Sequence, residues 1–209
     1  MTLQGQPVSE VYAEGQRYFM GEGKLNNALA RLVADLKNHQ IDYVVIGAIA
    51  LMAYGYPRFT EDIDVILTSE GLEKLHREMI GLGYVPAFQG SRKRLRSTLD
   101  GTPIEIISAG EYPGDGKPKP VSFPNPSATS IEIDGVKFPT LEKLIELKLA
   151  SGMTAPDRLK DLADVQELIK IRELSTDLAD KLNPYVREKY LELLEAVQRG
   201  SSNNIEEQL

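Results

Sequence analysis

The chain has 209 residues, 42% of them hydrophobic and 26% charged, with a formal net charge of −7. Such a composition suits a globular protein with one good core or two small ones, and it argues against a generally basic nucleic-acid binder, although a local basic patch can survive on an acidic surface. With no Cys, disulfides, thiolate metal sites and Cys nucleophiles are excluded; with no apolar run near the ~20 residues of a membrane helix and no secretory pattern in MTLQGQPVSEVYAEGQ, a cytoplasmic protein without membrane segments is expected.

In chain order, residues 1–23 read as an extension with a short helix over Glu10–Phe19, broken at Gly21 and Gly23. From Lys24 to Gln40, Leu25, Ala28, Leu32 and Leu36 recur at helical spacing. Tyr43–Ile46 is a short apolar run of the buried-strand kind. Gly47 opens a short helix that closes at Gly55. A loop from Pro57 leads to a strand over Asp62–Leu67, and Ser69 caps a helix running to Leu82. The basic cluster Arg92, Lys93, Arg94 and Arg96 leads into a strand over Leu95–Leu99, which Asp100-Gly101 turns into a strand over Ile104–Ile107. Residues 111–127, with five prolines and two glycines, form a loop. Ile131–Ile133 and Val136–Phe138 flank a second turn at Asp134-Gly135. Thr140 caps a helix over LEKLIELKLASG, followed by helices over Asp157–Ile171 and Asn183–Arg199, the last with Pro184 in its first turn. The expected fold class is α+β. The extension (1–23) precedes a mixed-sheet core with flanking helices (24–139), a helical part (140–200) and a frayed tail (201–209).

Candidate chemistry centres on TEDIDVIL. Asp62 and Asp64 stand two apart in a strand and so share a face. Two facing carboxylates repel, and the usual offset is a hard divalent cation such as Mg²⁺ or Mn²⁺ shared with substrate phosphates. Glu105, flanked by isoleucines in PIEIIS, is the candidate third carboxylate, with Glu132 in the similar tripeptide Ile-Glu-Ile as its rival. Upstream, the strand YVVI turns at once into a helix at Gly47-Ala48. The free N–H groups of that turn favour an anion, and glycine lets a phosphate come close. If the two strands are neighbours, they hold a metal–triphosphate complex between them. Arg58 and Thr60 continue the same alternation. Arg58 can grip a phosphate or form an ion pair with Glu61 or Asp62; Thr60 can bond a phosphate or orient Asp62. A surface loop and the footprint of a nucleic-acid acceptor are both open for the basic cluster. By itself Lys148 reads as a helix lysine with its head in solvent, and Asp161 with Asp164 as a solvated pair beside Arg158 and Lys160.

GAIALMAYGYPRFTEDID resembles the nucleotidyltransferase superfamily with the DNA polymerase beta type of catalytic fold: an apolar residue and Gly-Ala, a spacer, then Asp-Ile-Asp-Val. Within it, R-x-T-x-D-I-D (Arg58, Thr60, Asp62, Asp64) is similar to the abortive-infection toxin nucleotidyltransferases of the AbiEii type and their minimal relatives. LEKLIELKLASGMTAPDRLKDLADVQEL is similar to the same family's helical segment, with its Lys and R-x-x-D-x-x-D. The resemblance implies a transferase that moves a nucleoside monophosphate from a nucleoside triphosphate to an acceptor hydroxyl. Asp62, Asp64 and Glu105 would bind metal. Gly47, Ala48, Arg58, Thr60 and Lys148 would bind nucleotide, and Lys148 and Asp161 would belong to the catalytic set. It leaves the acceptor open between a tRNA or other RNA end, a protein and a small molecule, and it implies an antitoxin protein as partner. Two positions depart from the family pattern: Ala48 stands where Gly or Ser is usual, and Glu105 where Asp is usual. Those departures motivate the alternative, a non-catalytic nucleotide- or partner-binding protein of the same fold.

Overall fold

A computed structural model describes residues 23–206, with side chains through Gly200; the expected Glu10–Phe19 helix and the last three residues of the tail lie outside the described residues. Helix α1 (Lys24–Asn38) buries the stripe Leu25, Ala28, Leu29, Leu32, Val33 and Leu36. Strand β1 (Tyr43–Ile46) leads directly into α2 (Gly47–Ala53), and β2 is Ile63–Leu67. Helix α3 (Ser69–Glu78) starts one residue earlier than expected: Thr68 is the cap, its Oγ1 accepting from the Gly71 N–H. It also ends short of Leu82, and Tyr84–Pro86 forms a strand, β3, that three residues including a proline do not announce. Strand β4 is Arg94–Ser97, shifted toward the basic cluster, and β5 is Pro103–Ser108.

These strands form one mixed sheet in the order β1-β2-β5-β4-β3. β1 and β2 are antiparallel neighbours, β2 and β5 are parallel, and β4 and β5 form the hairpin expected at Asp100-Gly101. The remaining hairpin, β6 (Ser130–Ile133) and β7 (Val136–Pro139), is a separate two-stranded sheet. All later elements are helical: α4 (Leu141–Thr154), a 3₁₀ turn at Pro156–Arg158, α5 (Leu159–Ile171), a 3₁₀ turn at Thr176–Lys181 and α6 (Pro184–Glu206), which extends past the expected end at Arg199. Helix α4, capped by Thr140, is buried on every side from Leu144 to Gly152 and forms the centre of the helical part.

Strand alternation decides what reaches the site. Ile63, Val65, Leu67, Ile104 and Ile106 enter one large core shared by the sheet and the helices. Val44, Ile46 and Ile66 point to the other face, where Ile107, Ala109 and Phe123 cover them. By the period of two, Asp64 and Glu105 belong to this second, thinly covered face. No helix among the described residues is long and apolar enough to cross a membrane.

Candidate active site

A groove of about 780 Å³ opens along that face, a volume in the range of small-ligand sites. Register builds its acidic floor. Asp64 pairs with Ile46 on one side and with Glu105 on the other, which places the two acids on adjacent strands roughly 4.8 Å apart. Asp62 sits one residue before β2, and its carboxylate accepts from the Thr60 hydroxyl. Gly47 closes the floor from the β1–α2 turn with φ +70°, and a Cβ at this position would overlap Asp64 Oδ2. Glycine is therefore required at 47 by the carboxylate behind it, beyond any close approach by a phosphate.

Burial pushes Asp64 up to about 7, helped by the charges of Asp62 and Glu105 and opposed by Lys148 and Arg158. Such a carboxylate, among like charges, is suited to a cation. Among the described residues, no three or more carboxylate or imidazole groups stand close enough as oriented to enclose a metal ion. Repulsion accounts for that orientation: Asp62 turns to Thr60, and Glu105 leans toward Arg94, whose Nε lies 3.8 Å from Oε1. The three acids offer only hard oxygen donors, the kind that Mg²⁺ or Mn²⁺ would take. Glu132 lies on β6, away from the groove, so the fold brings Glu105 and not its rival to the aspartates.

The opposite wall comes from α4 and α5, and here two sequence readings are corrected. Lys148 does not hold its head in solvent: it is 7% exposed, and its Nζ donates to Asp161 Oδ1 (3.0 Å) and Asp164 Oδ2 (2.7 Å). Asp161 and Asp164 are not a solvated pair but buried. Burial would raise Asp161, yet Lys148 and the Ser151 hydroxyl, which donates to Oδ2 at 2.7 Å, hold it below the usual carboxylate range. Arg58 forms an ion pair that its sequence neighbours do not announce: its Nη1 meets Asp164 Oδ2 at 2.6 Å while the side chain still lines the groove. Ser151 and Asp164 were not assigned from sequence. The available signal was their i+3 spacing from Lys148 and Asp161, which puts each pair on one helix face.

A third wall is the proline-rich segment. Its ends are zipped by Gly110 N–H to Phe123 O and Phe123 N–H to Glu111 O, both at 2.8 Å. The buried Lys119 side chain braces the segment internally through Pro113 O (2.6 Å) and Asp115 Oδ1 (2.5 Å) and ties it to α4 through Thr154 Oγ1 (3.1 Å). Tyr112, Pro113 and Gly114 thereby face the groove. Of the basic cluster, Lys93 and Arg94 reach the rim beside Glu105. The lining balances in charge: Arg58, Lys93, Arg94, Lys148, Arg158 and Lys160 stand against Asp62, Asp64, Glu105, Glu111, Asp157 and Asp161. Divalent cations would tip that balance toward a polyanion.

No family model and no curated relative matches the chain. Solved structures do. ANT(2'')-Ia, in complex with adenylyl-2''-tobramycin, superposes with a TM-score of 0.50 at 15% identity, covering 84% of this chain and 97% of that one. An antigenic nucleotidyltransferase-like protein from Paracoccidioides brasiliensis matches at a TM-score of 0.45 and 17% identity over 69% of this chain and 75% of that one. The fold, a small mixed sheet with a helical C-terminal part, is that of the nucleotidyltransferases.

Proposed function

We propose that the protein is a divalent-metal-dependent nucleotidyltransferase that transfers a nucleoside monophosphate from a nucleoside triphosphate to an acceptor hydroxyl. The observation that carries this reading is the packing of Gly47 against Asp64, with Asp62 and Glu105 beside it on one sheet face. Asp62, Asp64 and Glu105 would hold Mg²⁺ or Mn²⁺, which when bound stabilises the attacking and leaving oxygens. The Thr60 hydroxyl holds the Asp62 carboxylate at the groove. Arg58, and the backbone at Gly47 and Ala48, border the space for the triphosphate; Ala48 offers no hydroxyl, so only main-chain N–H groups act there. Lys148, held by Asp161, lends positive potential to the same wall. The acceptor oxygen attacks the α-phosphorus, the bond to the β-phosphate oxygen breaks, pyrophosphate leaves, and Glu105 takes the hydroxyl proton. Rate would come from positioning and charge neutralisation.

Lys93 and Arg94 stand beside Glu105, where the acceptor hydroxyl would arrive. Lys93, paired with Glu111, and Arg94, beside Glu105, would turn to the phosphates of an acceptor such as a tRNA or other RNA end. A toxin role with an antitoxin partner follows only from the sequence resemblance. The direct test is turnover: α-³²P-labelled triphosphates, supplied singly with Mg²⁺ or Mn²⁺ and with total tRNA, other RNAs, protein extract or aminoglycosides. Label transferred to one acceptor class, lost on chelation, supports the reading. No transfer and no pyrophosphate release with any combination contradicts it.

A further inference from the structure

We propose that Asp164 is a positioning residue: it never meets the ligand, but it aims Arg58 at the phosphates of the bound nucleotide. The inference rests on the nucleotidyltransferase reading and extends it to a residue outside the groove lining. Asp164 is 3% exposed on α5. A buried carboxylate needs compensating charge, and this one receives it twice at a single oxygen, from Lys148 on α4 and from Arg58. Lys148 is also held by Asp161 and sits on the buried stretch of α4 from Leu144 to Gly152. Arg58 lies between α2 and β2, in a segment without helix or strand, and Asp164 ties it to α5 across 106 residues of chain. A guanidinium already held through Nη1 loses less freedom when it engages a phosphate.

The idea makes a prediction opposite in sign to plain electrostatics. Removing a negative charge behind the groove raises its potential and should tighten binding of a triphosphate. If Asp164 acts by aiming Arg58, its loss weakens binding instead. The experiment measures dissociation constants by calorimetry for Mg²⁺ with ATP, GTP, CTP and UTP in turn, and for Mg²⁺ with inorganic tripolyphosphate. The proteins are wild type, Asp164→Asn, Arg58→Gln and the double variant. The expected result is a loss of about tenfold for Asp164→Asn, no further loss when it is added to Arg58→Gln, and the same pattern with tripolyphosphate. Unchanged or tighter binding in Asp164→Asn overturns the proposal, as does a loss that simply multiplies with that of Arg58→Gln, which a general structural role would give. If Asp164→Asn does not fold, Asp164→Glu carries the test: it keeps the charge and displaces Arg58 by one methylene, so weaker binding supports the proposal and unchanged binding overturns it. A wild-type protein that binds none of these ligands would instead defeat the nucleotidyltransferase reading itself.

Discussion

Gly47 and Asp64 are one unit. The glycine supplies both the left-handed backbone and the missing Cβ that the carboxylate occupies. Gly47→Ala should therefore cost stability, about 1–3 kcal/mol for strain and displacement, and should also abolish metal-dependent nucleotide binding. Urea titration and calorimetry on one preparation check both, and a variant that binds normally contradicts the packing argument. Asp64 has a pH signature of its own. Its folded value of about 7 lies above the unfolded 3.8, so between them the native state holds the extra proton. Without metal, stability is then full below pH ~4 and falls as pH rises to about 7, by at most ~4 kcal/mol at 1.36 kcal/mol per pKa unit. Asp64→Asn escapes that loss. Its advantage over wild type, measured by denaturation in chelator, should be absent near pH 4, open with rising pH and level off above 7. An advantage that does not change with pH would refute the assignment of that carboxylate.

At the scale of elements, legibility followed burial. β1, α2 and β2 were readable because apolar runs and a glycine punctuate them, and Thr140 marked the start of α4. That the Glu105 strand lies beside β2 followed from reading Glu105 as the third carboxylate, but the register that sets Asp64 directly against it was not readable, because pairing of β2 with β5 skips two intervening strands. β3 was hidden by its length and by Pro86. The Lys148–Asp161–Asp164 group was hidden for a different reason: charged residues are rarely buried unless paired, and the pairing joins two helices. That pairing predicts a large effect. Lys148→Met leaves two buried carboxylates without their shared cation and should destabilise the protein by about 3–5 kcal/mol. Asp161→Asn and Asp164→Asn in the same chain should recover part of the loss. Chemical denaturation of the three proteins checks this, and a Lys148→Met variant as stable as wild type would mean the group is solvated in solution.

The whole molecule assembles its groove from three sources: an acidic floor from the sheet, a wall from α4 and α5, and a wall from the proline-rich segment locked by Lys119. One large core joins sheet and helices, and the small cluster of Val44, Ile46 and Ile66 under Phe123 seats the proline-rich segment on the groove face of the sheet. In a protein of net charge −7, a groove with matched cationic and acidic linings gives a polyanion no net attraction of its own, which is why the proposed function invokes divalent ions. The central claim is thus that nucleotide binding depends on metal, through Asp64. The measurement is the thermal midpoint of wild type and Asp64→Asn with triphosphate alone, Mg²⁺ alone, and both. The account predicts a rise of several degrees in wild type only when both are present, following ligand linkage, and none in Asp64→Asn. A triphosphate-induced rise that survives chelation, or one that Asp64→Asn retains in full, would contradict it.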